Sequence, residues 1–214
     1  DVHGDYNEMF MRLLGRPDIA FETFAVQADD FPVRPSVADA WVVTGSSCGV
    51  NDGFPWIAKL NSFLRHVHEE RTPLVGICFG HQAIAEALGG KVEKFSGGWS
   101  CGLRRYDMAG RDAPVSLLTW HQDQVVAPPP NAKIIASSDF CRFAGLRVGD
   151  HILTLQPHPE FTPEFLRALA AARRDVIGDT MSASVIDSLS VDLPEDFGPY
   201  ILDFIYAAIA AKAA

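Results

Sequence analysis

The residues with the clearest chemical potential are Gly76-Ile77-Cys78-Phe79-Gly80, a GxCxG run between a short apolar stretch and a helix-like one. It is the thiol counterpart of the GxSxG nucleophile elbow. Small residues on both sides of the cysteine let the backbone turn sharply and expose the side chain above a sheet. The start of the following helix then favours a thiolate and any developing oxyanion. By itself the run equally fits a buried thiol in a glycine-rich turn, so other residues must decide. A thiol nucleophile needs a base, and the base needs an orienting carboxylate. Among the seven histidines, His158 is followed two residues later by a carboxylate at the end of an apolar strand, in Leu155-Gln156-Pro157-His158-Pro159-Glu160. Residues two apart in extended backbone point the same way, and Pro157 and Pro159 favour extension, so Glu160 can brace the His158 ring. Alone, a surface His-Pro-Glu turn is the simpler reading; with an elbow upstream it is not.

These groups must be held by a sheet. The run Ala40 to Thr44 is apolar and ends at Gly45, which suits a strand buried on both faces. A helix opened by Pro55 follows, with Trp56, Ile57, Leu60, Phe63, Leu64 and Val67 on one stripe. A second buried strand, Leu74 to Ile77, leads into Cys78, and a helix through Ile84, Ala87 and Leu88 stops at Gly89 and Gly90. Strand, helix, strand, helix in this order implies a parallel sheet with right-handed crossovers. Beyond Lys91 the text changes to short strand-like runs without helices between them: 91–95, 102–108, 115–120, 133–137, 143–148 and 151–156. These predict antiparallel meanders. Helix returns after Pro163 (Phe165, Leu166, Leu169) and from Tyr200 to Ala214, while 179–197 carries no firm pattern. Residues 1–6 read as loop. A helix through Met9, Phe10, Leu13 and Leu14 then precedes any convincing strand, which leads to the expectation of a first strand upstream of Asp1.

Composition bounds the function. The 214 residues suit one domain spanning 1–214, and 48% hydrophobic with 21% charged residues excludes disordered and fibrous classes. A net charge of −9 without a dense Lys/Arg stripe argues against nucleic acid or an anionic membrane as partner. No apolar run approaches the ~18–20 residues of a bilayer span and no charged-then-apolar leader opens the chain, so the expected location is cytoplasmic. Cys48, Cys78, Cys101 and Cys141 show neither CxxC pairing nor zinc spacing. Neither a metal nor a cofactor is expected. His66 and His68 with Glu69 and Glu70 imitate a metal pair, but sit at the polar end of an amphipathic helix and read as solvated. Cys48, Cys101 and Cys141 read as core or incidental thiols, and His81 as a residue that orients the elbow.

The words GICFGHQ (Gly76 to Gln82) and, later, QPHPEF closely resemble the class I glutamine amidotransferases. The resemblance runs from about Ala40 to Phe161. Trp120-His121-Gln122-Asp123 and Gly97-Gly98-Trp99 further resemble the stand-alone branch similar to the glutaminase domain of GMP synthase, which also includes γ-glutamyl peptide hydrolases. The resemblance implies a flavodoxin-like α/β fold with a mixed, mainly parallel central sheet flanked by helices. It makes Cys78 the nucleophile, His158 the base and acid, and Glu160 the orienting carboxylate. It assigns the oxyanion hole to the backbone N–H groups of Gly45 and Phe79, substrate contact to Gln82, and to His121 and Asp123 a positioning loop beside the pocket. A merely structural His121 is an equal alternative. The family pattern has GGP or GGN where this chain has Gly45-Ser46-Ser47-Cys48-Gly49.

The implied activity is hydrolysis of the γ-amide of glutamine to glutamate and ammonia, with ammonia released or passed to a separate synthetase or acceptor protein. No GxxxxGK[ST] loop for an acceptor half is present. Two alternatives stand beside it: a γ-glutamyl peptide hydrolase using the same three residues, and a non-catalytic amidotransferase-like subunit. A third, the DJ-1/PfpI type of cysteine protein, commonly places His after the elbow cysteine, where this chain has Phe79.

Overall fold

A computed structural model describes residues 4–190 and 194–213. Residues 1–3, 191–193 and 214 lie outside the described residues; they fall in the expected N-terminal loop, the unassigned 179–197 stretch and the end of the C-terminal helix. Helix α1 (Tyr6–Leu14) comes first, followed by β1 (Trp41–Val43), α2 (Pro55–Glu69), β2 (Leu74–Ile77) and α3 (Phe79–Ala87). Seven strands then run with no α-helix between them: β3 (Lys91–Lys94), β4 (Ser100–Met108), β5 (Val115–His121), β6 (Asp123–Ala127), β7 (Lys133–Ser137), β8 (Gly145–Val148) and β9 (Ile152–Leu155). Helices α4 (Pro163–Ala172), α5 (Arg174–Ile177), α6 (Asp179–Ser188) and α7 (Gly198–Ala213) complete the order.

The main sheet has seven strands in the order β1-β2-β9-β8-β7-β4-β5, with β3 and β6 paired separately. Pairing is parallel from β1 through β2 to β9 and antiparallel from β9 through to β5, so the mixed sheet has its parallel part confined to the strands that lead into the elbow and into His158. The register sets Val43 beside Gly76, and Gly76 and Ile77 beside Thr154 and Leu155. The C-terminal ends of three strands thus meet at one edge, the usual place for a ligand in an α/β sheet.

Alternation along β2 explains the two layers. Val75 and Ile77 pack with Phe10 and Leu14 of α1 and with Ile201 and Phe204 of α7. Leu74 packs on the other face with Ile57, Leu60 and Leu64 of α2 and with Ala83 and Ile84 of α3. All four β2 residues are buried, as a strand covered by helices on both sides requires. A third cluster joins Met9, Leu118 and Phe161 to Leu166 and Ala170 of α4 and Val185 of α6.

Several elements differ from the sequence reading, which also sets 151–156 among antiparallel runs although β9 pairs in parallel with β2 as well as antiparallel with β8. Strand β6 follows β5 with only Gln122 between them, and without a Gly, Pro or Asn signal the break is invisible in sequence. Helix α6 forms inside the unassigned stretch, where it buries only Ser182 and Val185 and so carries little amphipathic signal. The expected strand at 143–148 begins at Gly145 instead.

Candidate active site

Cys78 takes φ 53°, ψ −104°, a region that side chains other than glycine rarely adopt. Its N–H donates to Leu155 O at 2.9 Å, which ties the bend to β9. The flanking glycines have a steric cause. A Cβ on Gly80 would lie 2.1 Å from the Val43 carbonyl oxygen, and one on Gly76 would lie 2.5 Å from Ile84 Cδ1 and 2.6 Å from Gly80 O. Helix α3 therefore lies flat against β1 and β2 only because both positions lack a side chain. The sharp strand-to-helix turn expected from GxCxG is the conformation observed.

His158 lies just past β9, where its N–H donates to Leu118 O at 2.7 Å and forms an isolated antiparallel bridge to β5. Its Nδ1–H donates to Glu160 Oε1 at 2.6 Å, with the two side chains 2% and 0% exposed. Burial acts to lower the imidazole pKa, but the negative charge of Glu160 and of the Cys78 sulfur outweighs it and holds the ring up at about 10. Phe161 lies face to face on the imidazole at 3.9 Å between ring centroids and 6° between planes. Tyr6 stacks more distantly on both, 6.4 Å from His158 and 5.9 Å from Phe161. Burial, then the charges of Cys78 and Glu160, push the Tyr6 phenol up to about 12, against an opposing pull from Arg173. Sequence reasoning gave neither aromatic a role. Phe161 closes the HPEF word and could have been noticed, whereas Tyr6 comes from α1 and has no local signal.

The Gly45 to Gly49 loop faces these groups. A Cβ on Gly45 would stand 3.0 Å from His158 Cε1 and 3.9 Å from Cys78 Cβ, so the loop passes close to both with little room for a side chain. Ser46, where the family pattern has glycine, organises the loop: its Oγ accepts from Cys48 N at 3.1 Å and from Gln27 Nε2 at 2.9 Å. Phe79 is the first residue of α3, so its N–H is among those that helix geometry leaves without an intrahelical acceptor.

Gln82 is buried, not solvated. Its amide nitrogen donates to Asp123 O at 2.8 Å and to Gln156 Oε1 at 3.1 Å. His121 is buried with Nδ1 against Asp123 O at 3.1 Å, and desolvation pushes its pKa down to about 3, so the ring is neutral. His121 Nε2 has no partner. Both residues line one cleft of about 350 Å³ with Cys78, His158 and Phe79. Trp99, Trp120, Lys94, Asp123, Tyr6 and Arg173 line it too, and of these the sequence reading had placed only Asp123 beside a pocket.

His81 is buried against Thr154 Oγ1 at 2.8 Å, and burial lowers its pKa to about 3, which suits a neutral brace between α3 and β9. Cys101 and Cys141 are buried thiols pushed up to about 12. Cys48 is half-buried and lines the cleft, so it is a neighbour of the site and not a core thiol. His68 departs from the solvated reading: its ring stacks on His151 and Nδ1 lies 3.0 Å from His151 Nε2. Among the described residues, no group of three or more His, Cys, Asp or Glu side chains could hold a metal ion. No helix among them is long and apolar enough to cross a membrane.

A mixed sheet flanked by helices, with a cysteine at a strained strand-to-helix turn, is the fold of the glutamine amidotransferases. The crystal structure of a glutamine amidotransferase from Methylobacillus flagellatus superposes with a TM-score of 0.78 at 20% identity, covering 100% of this chain and 91% of that one. Residues 1–168 match the family model described as glutamine amidotransferase class-I, and the chain belongs to that family. Gamma-glutamyl peptidase 5 of Arabidopsis thaliana is 33% identical over 182 residues, which cover 77% of this chain and 71% of the relative. A glutamine-hydrolyzing GMP synthase of Alkalilimnicola ehrlichii is 29% identical over 213 residues, covering 88% of this chain but 39% of the synthase.

Proposed function

We propose that the chain is a cysteine-dependent hydrolase of γ-glutamyl amide bonds, with Cys78 as nucleophile, His158 as proton carrier and Glu160 as its orienting group. The Cys78 sulfur attacks the γ-carbonyl carbon, and the oxyanion lies toward the backbone N–H groups of Gly45 and Phe79. As the C–N bond breaks, His158 gives its proton to the departing amine and a thioester remains. Water then adds to the thioester with His158 taking its proton, which releases glutamate and restores the thiol. Because Glu160 occupies Nδ1, Nε2 is the nitrogen left for both transfers. Gln82 and His121 line the cleft where the glutamyl group would lie, His121 as a neutral ring able to exchange hydrogen bonds without adding charge.

The observation that carries this reading is the buried 2.6 Å hydrogen bond from His158 to Glu160, with His158 on the same cleft as the strained Cys78. Two amines could leave. Similarity to γ-glutamyl peptidases over most of both chains favours an amino acid or peptide over ammonia. The second reading, a glutaminase that passes ammonia to a separate synthetase, rests on similarity to a GMP synthase of which this chain spans 39%. Its natural setting is the cytoplasm, in keeping with free thiols and no structural disulfide among the described residues. Assay of the purified chain on glutamine and on a γ-glutamyl dipeptide, each with and without Cys78→Ala, tests the proposal. Turnover of at least one substrate should fall by roughly 10⁴-fold or more in the variant. Turnover that survives Cys78→Ala would overturn it.

A further inference from the structure

The charges around the cleft do not match those of glutamine. Lys94 and Asp123 are directly opposed on the antiparallel pair β3–β6, so their side chains share one face and supply one cation and one anion. That is the complement of an amino-acid head group, an ammonium and a carboxylate. Arg173 stands apart from this pair. It ends α4, lines the cleft, and acts electrostatically on Tyr6, whose ring stacks on His158. Its neighbours Arg167 and Arg174 are paired with Glu164 and Asp179, whereas no carboxylate of the described residues pairs with Arg173.

Free glutamine carries one positive and one negative charge, and the Lys94–Asp123 pair answers both. A γ-glutamyl amino acid or peptide carries one further carboxylate, at the far end of its leaving group. The leaving amine must also sit beside His158 to receive its proton, which directs that end toward Tyr6 and Arg173. Val176, 48% exposed on the cleft wall next to Arg173, offers an apolar surface for a departing side chain.

We propose that Arg173, with Tyr6 and Val176 beside it, forms a leaving-group subsite that selects γ-glutamyl peptides ending in a free carboxylate. This rests on the hydrolase reading above and names its substrate class. A guanidinium meeting a carboxylate in this partly exposed setting should favour acid-ended over amide-ended leaving groups by about 10- to 100-fold in kcat/KM.

The test compares γ-glutamyl-alanine with γ-glutamyl-alaninamide, which differ only at the terminal carboxylate. The wild-type chain should prefer the acid by the stated factor, Arg173→Gln should bring the ratio to within about threefold of one, and Arg173→Glu should invert it. Lys94→Gln should slow both substrates and keep the ratio, because the α-carboxylate it faces is common to both. A wild-type ratio near one, or a ratio that survives Arg173→Gln, overturns the subsite while Cys78-dependent turnover leaves the hydrolase reading standing. Absence of Cys78-dependent turnover on either peptide and on glutamine overturns both.

Discussion

The two walls of the cleft are built in opposite ways. One is made of Cys78 and His158, the latter braced by Glu160, just past the ends of β2 and β9, where every strand residue is buried. The other is made of Lys94, Asp123, Trp99, Tyr6 and Arg173, drawn from two strands, a loop and two helical segments, with Lys94 and Arg173 exposed to solvent. The first wall has almost no freedom: a single methylene at Gly80 would strike a carbonyl. The second is a set of side-chain tips that can be exchanged without disturbing the sheet. On the function proposed above, bond-breaking belongs to the rigid wall, and the choice of leaving group belongs to the adaptable one.

The sharpest break in the rigid wall should come from Glu160→Gln. The substitution keeps the shape but removes the charge that supports the imidazolium, and turnover should fall by roughly 10²- to 10⁴-fold. The pH profile gives the sign. His158 is held up at about 10 although burial lowers it, so wild-type activity should persist into alkaline solution and decline as pH rises through that value. Without the Glu160 charge, desolvation is opposed by Cys78 alone and the alkaline limb should move to lower pH. A kcat/KM profile whose alkaline limb is the same in both proteins would separate Glu160 from His158.

Gly80→Ala tests the same wall through stability. The added Cβ meets the carbonyl oxygen and carbon of Val43 at 2.1 and 2.8 Å, and backbone cannot swing aside as a side-chain tip can. We expect a cost of about 3 kcal/mol, which for a chain of this size lowers Tm by roughly 6–12 °C. A thermal melt within about 2 °C of wild type would mean that α3 does not press on β1 as described.

The same contrast explains what was legible in the sequence. Gly76 to Gly80 and Pro157 to Phe161 are contiguous because each function is a local backbone shape with its side chains one or two residues apart, and local shape is written in adjacent letters. Strand β2 was equally plain, since burial on both faces leaves an uninterrupted apolar run at 74–77, whereas 152–155, interrupted by Thr154, reads among the antiparallel runs and its parallel pairing with β2 is visible only in the fold. Arg173 and Tyr6 reach the same cleft only because α4 and α1 join one cluster through Leu166 and Met9, and no spacing rule connects positions so far apart. Strand β6 was hidden for a different reason: a chain that leaves one sheet and enters another across a single residue needs no turn former. Ser46 looked like a departure from the family pattern, yet its hydroxyl ties Gln27 to the loop, a contact between positions 19 residues apart that only the fold reveals.

The mildest change falls where the walls meet. Gly49 closes the loop that begins at Gly45, and a Cβ there would lie 2.9 Å from Asp123 Oδ2 and 3.2 Å from Asp52 Oδ1. Both contacts are to the ends of side chains, so Gly49→Ala should displace carboxylates without moving the sheet or the elbow. Asp123 is the anion we assign to the ammonium of the glutamyl group, and its pKa is already raised by burial against the opposing pull of Lys94. Shifting it should weaken binding by about 1 kcal/mol, a roughly fivefold rise in KM, with kcat lowered less than twofold because Cys78, His158 and Glu160 keep their positions. The effect should be the same for γ-glutamyl-alanine and γ-glutamyl-alaninamide, which share the glutamyl head. A fall in kcat with KM unchanged would show that the loop acts on the oxyanion and not on the head group, and would move Gly49 from the adaptable wall to the rigid one.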